Sequence, residues 1–387
     1  MNLKDLKNRT LLLLGKSRAF NDDEFNSQMR YHDIGIIKEV NSNISTVVEG
    51  RMMTPYEQNS NEILYKEGKV DFISIDELES ELAKSIDEDT LLMSLKLSHD
   101  KERLKSFLLN SKISDKLFFR LLKMYSWSQE DFFENDDNRD VSAAFISRFY
   151  ENIDRNHNIQ FSTSGFIQLV AQTQSSELLN EISLLQPLKF HPKINMAIAM
   201  SPYCDDAMQK RFFKSADESV LEALSLNKAL KRELVVKLLE DEALAFNIAR
   251  NLILDEDTFE LLKKYKIGLA LNETLTLAMQ EELMSLEIQE INYALSLNNS
   301  LEEGIVEELL KLENSEIQEA IYENASTPLH VLQEAYKNEK NHLALAKNES
   351  TPIEILYQLQ LDARYERYVK SNAGFGKHIQ TQNIGWL

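Results

Sequence analysis

The segment Ala294-Leu-Ser-Leu-Asn298 decides the fold, because close copies of it follow as Ala320-Ile-Tyr-Glu-Asn324 and Ala344-Leu-Ala-Lys-Asn348. Counted from Ser201, the last residues of these segments and of their more distant copies advance by 26, 24, 21, 26, 26, 24 and 24 residues. The predicted repeat anchors are Asn227, Asn251, Asn272, Asn298, Asn324, Asn348 and Asn372. A period this short and steady predicts a repeat protein, in which each unit buries its apolar face against the copies before and after it.

The residues after each anchor predict a second helix in every repeat. Ser-Thr-Pro follows the anchor in two repeats, which predicts that Thr327 and Thr351 cap helices with proline at the first helical position. Ile355 and Leu359 then recur at helical spacing. Each repeat is therefore expected to contain a short helix that carries alanine, a tight turn at the asparagine, and an amphipathic helix. The asparagine amide is expected to hydrogen-bond to turn backbone, which is a structural role.

The Asn-x-Ser-Thr-Pro pattern with its upstream Ala-Leu resembles the leucine-rich repeat variant, an all-helical bacterial repeat similar in style to HEAT and armadillo arrays. The resemblance covers residues 197–373 and implies a mainly α fold, a right-handed α-solenoid of short helical repeats. Residues 88–196 have helical patterns with an irregular period, so they are either degenerate repeats or an N-terminal cap. Residues 374–387 have no helix pattern and are expected to form a C-terminal tail, either a cap on the last repeat or a docking peptide.

Residues 1–86 have a different pattern, in which strands and helices alternate. Four strands are predicted, at residues 10–14, 36–40, 46–48 and 70–73. Asn21 is expected to cap a first helix, because Asp22 and Asp23 follow it with favourable charge for a helix N-terminus. After a polar loop at residues 51–59, a second helix is predicted at 61–67 and a third at 76–83.

This order, β-α-β-β-α-β-α, resembles the BRCT domain, especially the form found in bacterial DNA ligases. The residues that carry the resemblance are Thr10-Leu-Leu-Leu-Leu-Gly15, Ser45-Thr-Val-Val-Glu-Gly50 and Glu67-Gly-Lys-Val-Asp-Phe-Ile-Ser-Ile-Asp-Glu-Leu78. The resemblance implies a small α/β domain with a parallel four-stranded sheet over residues 1–86. It also implies a module that binds proteins or DNA ends.

Some BRCT domains hold phosphopeptides with a Ser/Thr-Gly pair and a lysine on a helix. In this chain Leu14 precedes the glycine, and Ser60 or Ile63 stands near the position of the lysine. Without a hydroxyl and a cation to offset desolvation of the phosphate, phosphopeptide binding is not expected. Lys16 and Ser17 are nearby substitutes for an anion contact, although a solvated strand end is the favoured interpretation.

Composition excludes several classes of protein. The formal charge is −20, from 63 acidic and 43 basic residues, so the whole molecule is expected to repel nucleic-acid backbones. Cys204 is the only cysteine, which rules out an intrachain disulfide and favours a buried thiol over a nucleophile. The longest apolar run near the N-terminus is residues 11–14, too short for a signal peptide or a membrane span. We therefore expect a cytoplasmic protein with no membrane partner.

The sequence contains no motif that predicts catalysis. Its seven histidines are scattered, and none has a cysteine or carboxylate at metal-ligand spacing along the chain. No glycine-rich phosphate loop or nucleophile elbow is present. We therefore expect no enzymatic activity, no cofactor and no metal.

Two segments have an unusual charge. Residues 270–323 hold thirteen glutamates and one base, Lys311, and either present an acidic face to a basic partner or serve solubility. Residues 96–123 hold eight bases against three acids. Lys101, Lys105, Lys112 and Lys116 in that segment are the candidate nucleic-acid contacts, although solvated lysines above an aromatic core are the favoured interpretation.

These patterns predict a non-catalytic scaffold or adaptor that binds a protein or peptide, one with basic character if the acidic face is used, on a helical-repeat surface. The alternative is a genome-maintenance factor that uses the basic 96–123 segment and the BRCT-like domain. The sequence also predicts that the helical array stays folded when residues 1–86 are deleted.

Overall fold

The computed structural model describes residues 2–41, 44–127, 135–150 and 163–381, which contain 25 α-helices and one four-stranded sheet. The chain divides into two compact units. The first consists of Met1–Thr173 and Glu181–His191, and the second of Gln174–Asn180 and Pro192–Leu387. The prediction of a mainly α protein with a small α/β region at the N-terminus is confirmed.

The sheet of the first unit is parallel throughout, as predicted. Its strands are β1 (Thr10–Leu14), β2 (Gly35–Ile37), β3 (Thr46–Glu49) and β4 (Asp71–Ser74), and their spatial order is β2-β1-β3-β4. Leu12 pairs with Ile37 on one side and with Val47 on the other. Leu11 to Leu14 are all buried, as a central strand covered on both faces requires.

Three helices accompany the sheet: α1 (Asp22–Tyr31), α2 (Pro55–Glu67) and α3 (Ile75–Lys84). The predicted polar loop at 51–59 is wrong in its second half, because α2 begins at Pro55. Thr54 and Glu57 form a capping box at its N-terminus. The first half of α2 was not predicted because none of its residues is buried, so the helix has no apolar stripe, although its capping box is visible in the sequence.

Five further helices belong to the first unit. They are α4 (Glu88–Ser98), α5 (Lys101–Leu109), α6 (Asp115–Leu122), α7 (Asp136–Phe149) and α8 (Thr163–Gln172). The rings of Phe20 and Phe107 meet edge-on at 6.5 Å, and Arg103 Nε lies 2.9 Å from Glu24 Oε1. The α/β region and α5 therefore share a core, and the first unit extends beyond the predicted domain of residues 1–86.

The aromatic residues of this helical region form its interior. Phe118 lies at its centre and is fully buried. Its ring is 5.7 Å from that of Phe145 and 6.1 Å from that of Phe149. Phe119 and Phe149 stack at 5.3 Å. These side chains are a packed core, and they are not available to stack on bases.

The second unit consists of paired helices. We call the helices that lead into the anchor positions A-helices: α10 (Pro192–Met200), α12 (Glu218–Ser225), α14 (Glu242–Asn251), α16 (Lys266–Ala270), α18 (Gln289–Ser296), α20 (Ser315–Glu323), α22 (His342–Lys347) and α24 (Glu366–Ser371). We call the helices that follow the anchors B-helices: α11 (Asp206–Ser215), α13 (Arg232–Leu238), α15 (Glu256–Leu262), α17 (Leu277–Met284), α19 (Glu303–Leu310), α21 (Leu329–Ala335), α23 (Ile353–Gln360) and α25 (Ala373–Thr381). Each A-helix packs against the next A-helix. The remaining helix, α9, spans Ser176–Leu184.

The start of the B-helices differs from the prediction. Pro328 and Pro352 are the N-cap residues of α21 and α23 and not their first helical residues, so each helix begins one residue later than predicted. The hydroxyls of Thr327 and Thr351 do not cap these helices. Instead both threonines are buried, and each hydroxyl donates to the backbone oxygen of the residue six positions earlier. Thr327 donates to Ile321 O, and Thr351 donates to Leu345 O at 2.8 Å. The Ser-Thr-Pro sequence thus closes the turn onto the preceding A-helix.

The prediction that residues 374–387 lack a helix is also wrong, because α25 extends to Thr381 and buries Phe375. Residues 382–387 lie outside the described part of the chain. Gly374 weakens the helical pattern, but the packing requires it: a Cβ there would lie 2.1 Å from the backbone oxygen of Glu349. Tertiary contact here overrides local propensity. Among the described residues, no helix has the length and apolar character needed to span a bilayer.

Candidate interaction surface

Buried asparagine amides connect the turns of successive repeats. Asn298 Nδ2 donates to the backbone oxygens of Ala270 and Asn272 at 2.9 and 2.8 Å, and its Oδ1 accepts from Ser300 N at 2.8 Å. The amides that donate in the same way to two carbonyls of the preceding turn are those of Asn227, Asn272, Asn324, Asn348 and Asn372. This asparagine ladder fixes the register between neighbouring repeats, so that equivalent positions lie one above the other.

Asn251 departs from the ladder. Its Nδ2 donates to Asn247 O at 2.8 Å, within its own helix. In the other repeats, the second carbonyl that accepts from the amide belongs to the preceding anchor itself. Because α14 continues through Asn251, the amide of Asn272 instead donates to Ala249 O and to Leu252 O, one residue after that anchor. The step from Asn251 to Asn272 is 21 residues, the shortest in the array. The shorter step marks a local change in turn geometry.

Two glutamines that the sequence analysis did not single out complete the turns. Gln280 is fully buried on α17, donates to Leu275 O and Ser300 O, and accepts from Glu302 N at 3.1 Å. Gln209 on α11 bonds in the same way to Cys204 O, Ala229 O and Lys231 N. Each lies eight residues after its anchor, at Asn272 or Ser201, and that shared offset could have identified them.

Two neighbouring A-helices, α16 and α18, carry apolar side chains at equivalent positions. Residues five and one before an anchor are one turn apart, so they lie on the same helix face. These positions hold Ile267 and Tyr293 on α16 and α18, and Leu271 and Leu297 at the C-caps of the same helices. The exposed fractions of Ile267, Tyr293 and Leu297 are 47%, 41% and 44%. We call these four residues the A-face patch.

Acidic side chains lie at the same positions on either side of the A-face patch. On α20 they are Glu319, which is exposed, and Glu323, which pairs with Lys347. Two repeats before the patch, α12 has an exposed Glu222. Between them α14 contributes Arg250, an exposed base. The patch therefore has acidic residues at equivalent positions on α20, and on its other side a base on α14 followed by an acid on α12.

The basic segment at 96–123 is largely paired with acids. Lys105 Nζ lies 2.8 Å from Asp140 Oδ2 and also contacts Asp137. Burial by itself would lower the pKa of Lys105, but hydrogen bonds to these two carboxylates raise it overall, so the charge is retained and locally compensated. Lys116 lies 3.9 Å from Glu88. Lys101 is exposed in the first turn of α5, and Lys112 is half-buried in the turn after it.

The end of β1 presents backbone N–H groups that the protein satisfies with its own carboxylates. Gly15 N donates to Glu57 Oε1 at 3.0 Å. Arg18 N and Ala19 N donate to the fully buried Glu79 Oε1 at 2.7 and 2.8 Å. Hydrogen bonds from the backbone of Thr54 and then of Gly15 lower the pKa of Glu57.

Lys16, the predicted anion contact in this loop, is exposed, and its N–H donates to Arg51 O at 2.8 Å. Internal carboxylates thus occupy the N–H groups of Gly15, Arg18 and Ala19, to which a bound anion would otherwise be drawn.

Cys204 is buried, and burial raises the pKa of its thiol to about 12. A thiol in this environment is protonated at neutral pH and is a poor nucleophile.

Comparisons of this chain with protein-family models, curated proteins and solved structures gave no match.

Proposed function

We propose that the second unit is a right-handed α-solenoid of leucine-rich-repeat-variant type, and that the protein is a non-catalytic scaffold that binds a segment of another protein on the A-face patch. The observation that carries this proposal is the alignment of exposed Ile267, Tyr293 and Leu297 on consecutive A-helices. Covering the exposed part of each side chain contributes about 1 kcal/mol. The partner we propose is an amphipathic segment with an apolar centre.

The charges near the A-face patch determine the flanks of that partner. Glu222 and Glu319 stand at patch-equivalent positions on α12 and α20, in a chain with a formal charge of −20. Acidic flanks attract basic residues, accelerate association and disfavour acidic competitors. The proposed partner therefore carries Lys or Arg beside the apolar residues that face α20.

Two synthetic peptides of equal length test this proposal. One places leucine at positions i, i+3, i+4 and i+7 and lysine at the others to form a basic amphipathic helix, and the other replaces each lysine by glutamate. We expect fluorescence anisotropy to detect saturable binding of the basic peptide alone. Leu297→Asp and Glu319→Lys should each weaken that binding about 10-fold, the equivalent of about 1.4 kcal/mol.

Tyr357→Asp is the matched control, because Tyr357 is 36% exposed on a B-helix. It should leave the affinity for the basic peptide unchanged. Unchanged or tighter binding in both Tyr357→Asp and Leu297→Asp would show that the whole acidic surface attracts the peptide, and would overturn the assignment to the A-face patch. Photo-crosslinking from position 293, with position 357 as the reference, then identifies the natural partner.

The alternative, a nucleic-acid-associated maintenance factor, receives less support from the geometry. Lys105 and Lys116 are paired with carboxylates, and the neighbouring aromatic rings are buried. A titration with duplex and nicked DNA at moderate salt tests it directly. Tight, salt-sensitive binding that is lost in Lys101→Glu would favour the alternative over the scaffold.

A further inference from the structure

Three potential metal ligands meet on the B-helix side of two neighbouring repeats. Glu303 and Glu307 lie one turn apart on α19, and His330 lies on α21 of the next repeat. His330 Nδ1 is 3.6 Å from Glu303 Oε1, and its Nε2 is 3.7 Å from Glu307 Oε1. Residues 303 and 330 are far apart in sequence, so the cluster exists only because the repeats stack.

The dimensions of this cluster suit a small divalent ion. One ligand atom from each of the three side chains lies within 4.8 Å of the other two. Zinc binds imidazole nitrogen and carboxylate oxygen at about 2.0–2.2 Å, which places ligand atoms of a tetrahedral site roughly 3.4 Å apart. Small side-chain rotations would therefore close the site, and they are open to these residues because all three are more than half exposed.

The histidine distinguishes this cluster from the acidic surface around it. Carboxylates alone suit calcium or magnesium, whereas imidazole selects for zinc and related transition metals. Within the described part of the chain, this is the one group of three or more His, Cys, Asp or Glu side chains with ligand atoms so close together. The imidazole also comes from a different repeat than the two carboxylates, so an ion bound there would join α19 to α21.

We propose that Glu303, Glu307 and His330 form a surface site for a divalent transition metal of the zinc class, which cross-links two successive repeats. The fourth position of the ion remains open to water or to a ligand from a partner. Because the ion binds the folded array and not the separated helices, it stabilises the stacking of these repeats. The site lies on B-helices, so it does not depend on the function proposed for the A-face patch.

The test is calorimetric titration of the full-length chain, without a polyhistidine tag, with ZnCl2. We expect saturable binding with one high-affinity equivalent and a rise in the melting temperature of the second unit. His330→Ala and Glu307→Gln should each weaken binding at least about 10-fold. Co2+ in place of Zn2+ should give a visible absorption band in the wild type that His330→Ala abolishes.

Glu308→Gln is the matched control, because it removes the same charge from the same helix but from a residue that pairs with Lys311. It should leave the zinc affinity and the cobalt band unchanged. Failure of the wild type to bind an equivalent of zinc would refute the site. Wild-type affinity in His330→Ala would do so as well, because the ion would then be held elsewhere. All these side chains are exposed, so circular dichroism should show each variant folded.

Discussion

Replacing Asn298 by alanine tests whether the asparagine ladder holds neighbouring repeats together. The Asn298 side chain is 2% exposed and makes two donated hydrogen bonds, to Ala270 O and Asn272 O, and one accepted bond from Ser300 N. A hydrogen bond contributes about 1 kcal/mol net. Loss of three therefore costs about 3 kcal/mol. The two carbonyl oxygens that lose their donor are buried, which raises the loss of stability further, because water cannot replace the amide.

Asn299→Ala is the matched control for this prediction. Asn299 is exposed, and its amide lies 3.4 Å from Glu273 Oε1, a weak surface contact. We expect it to change the free energy of unfolding by less than about 0.5 kcal/mol. Asn298→Asp should be at least as damaging as Asn298→Ala, because it places a carboxylate against two carbonyl oxygens.

Urea denaturation followed by circular dichroism measures these differences, and hydrogen exchange locates them. In a repeat array the loss should be concentrated in the repeats that meet at the altered turn, so amides of α16, α18 and α20 should lose protection first. Equal stability of Asn298→Ala and Asn299→Ala would refute the reasoning. A loss of protection confined to the first unit would contradict it too.

Two further predictions follow from groups with shifted pKa values. Burial raises the pKa of Cys204 to about 12, so a disulfide reagent should react with this thiol at neutral pH only as fast as the protein opens. Urea should increase the reaction rate. Rapid labelling of the native chain would contradict the buried position. The pKa of Glu57 is lowered because Thr54 and Gly15 donate to its carboxylate. The charged carboxylate therefore contributes stability at pH values above the pKa of Glu57 in the unfolded chain. That contribution is lost as the pH falls through the lowered pKa of the folded protein. Glu57→Gln should therefore destabilise the first unit by about 0.5–1 kcal/mol at pH 7 and by less near pH 3. Thermal melts of the variant and the wild type at the two pH values measure the difference. A difference in stability that grew on acidification would contradict the lowered pKa.

The extent of the first unit changes the expectation for truncation. Phe107 on α5 contacts Phe20, and Arg103 pairs with Glu24, so helices beyond residue 86 complete the core of the α/β region. Deleting residues 1–86 would expose Phe107, which is 1% exposed in the structure. The prediction that the helical array stays folded after this deletion therefore applies to the second unit alone.

Local signals in the sequence were sufficient for the elements whose pattern repeats within a few residues. The buried strand at Thr10–Leu14 and the cap at Asn21 were predicted correctly, because apolar runs and capping residues act on their own neighbours. The same reasoning missed the first half of α2, which has no buried face, and α25, whose glycine serves a contact with Glu349. The capping box Thr54-Pro-Tyr-Glu57 at the start of α2 was present in the local sequence, whereas the contact that fixes α25 was not.

The sequence by itself determined the period of the repeats, the position of the anchors and the helical character of the units between them, because these depend on residues close along the chain. Only the tertiary structure decided that Asn251 leaves the ladder, that Gln209 and Gln280 bridge turns, and that His330 lies beside Glu303 and Glu307. These contacts join residues 20 or more apart, except for the bond of Asn251. Their geometry depends on how one helix pair stacks on the next, and a shift of one residue in a turn changes which atoms meet.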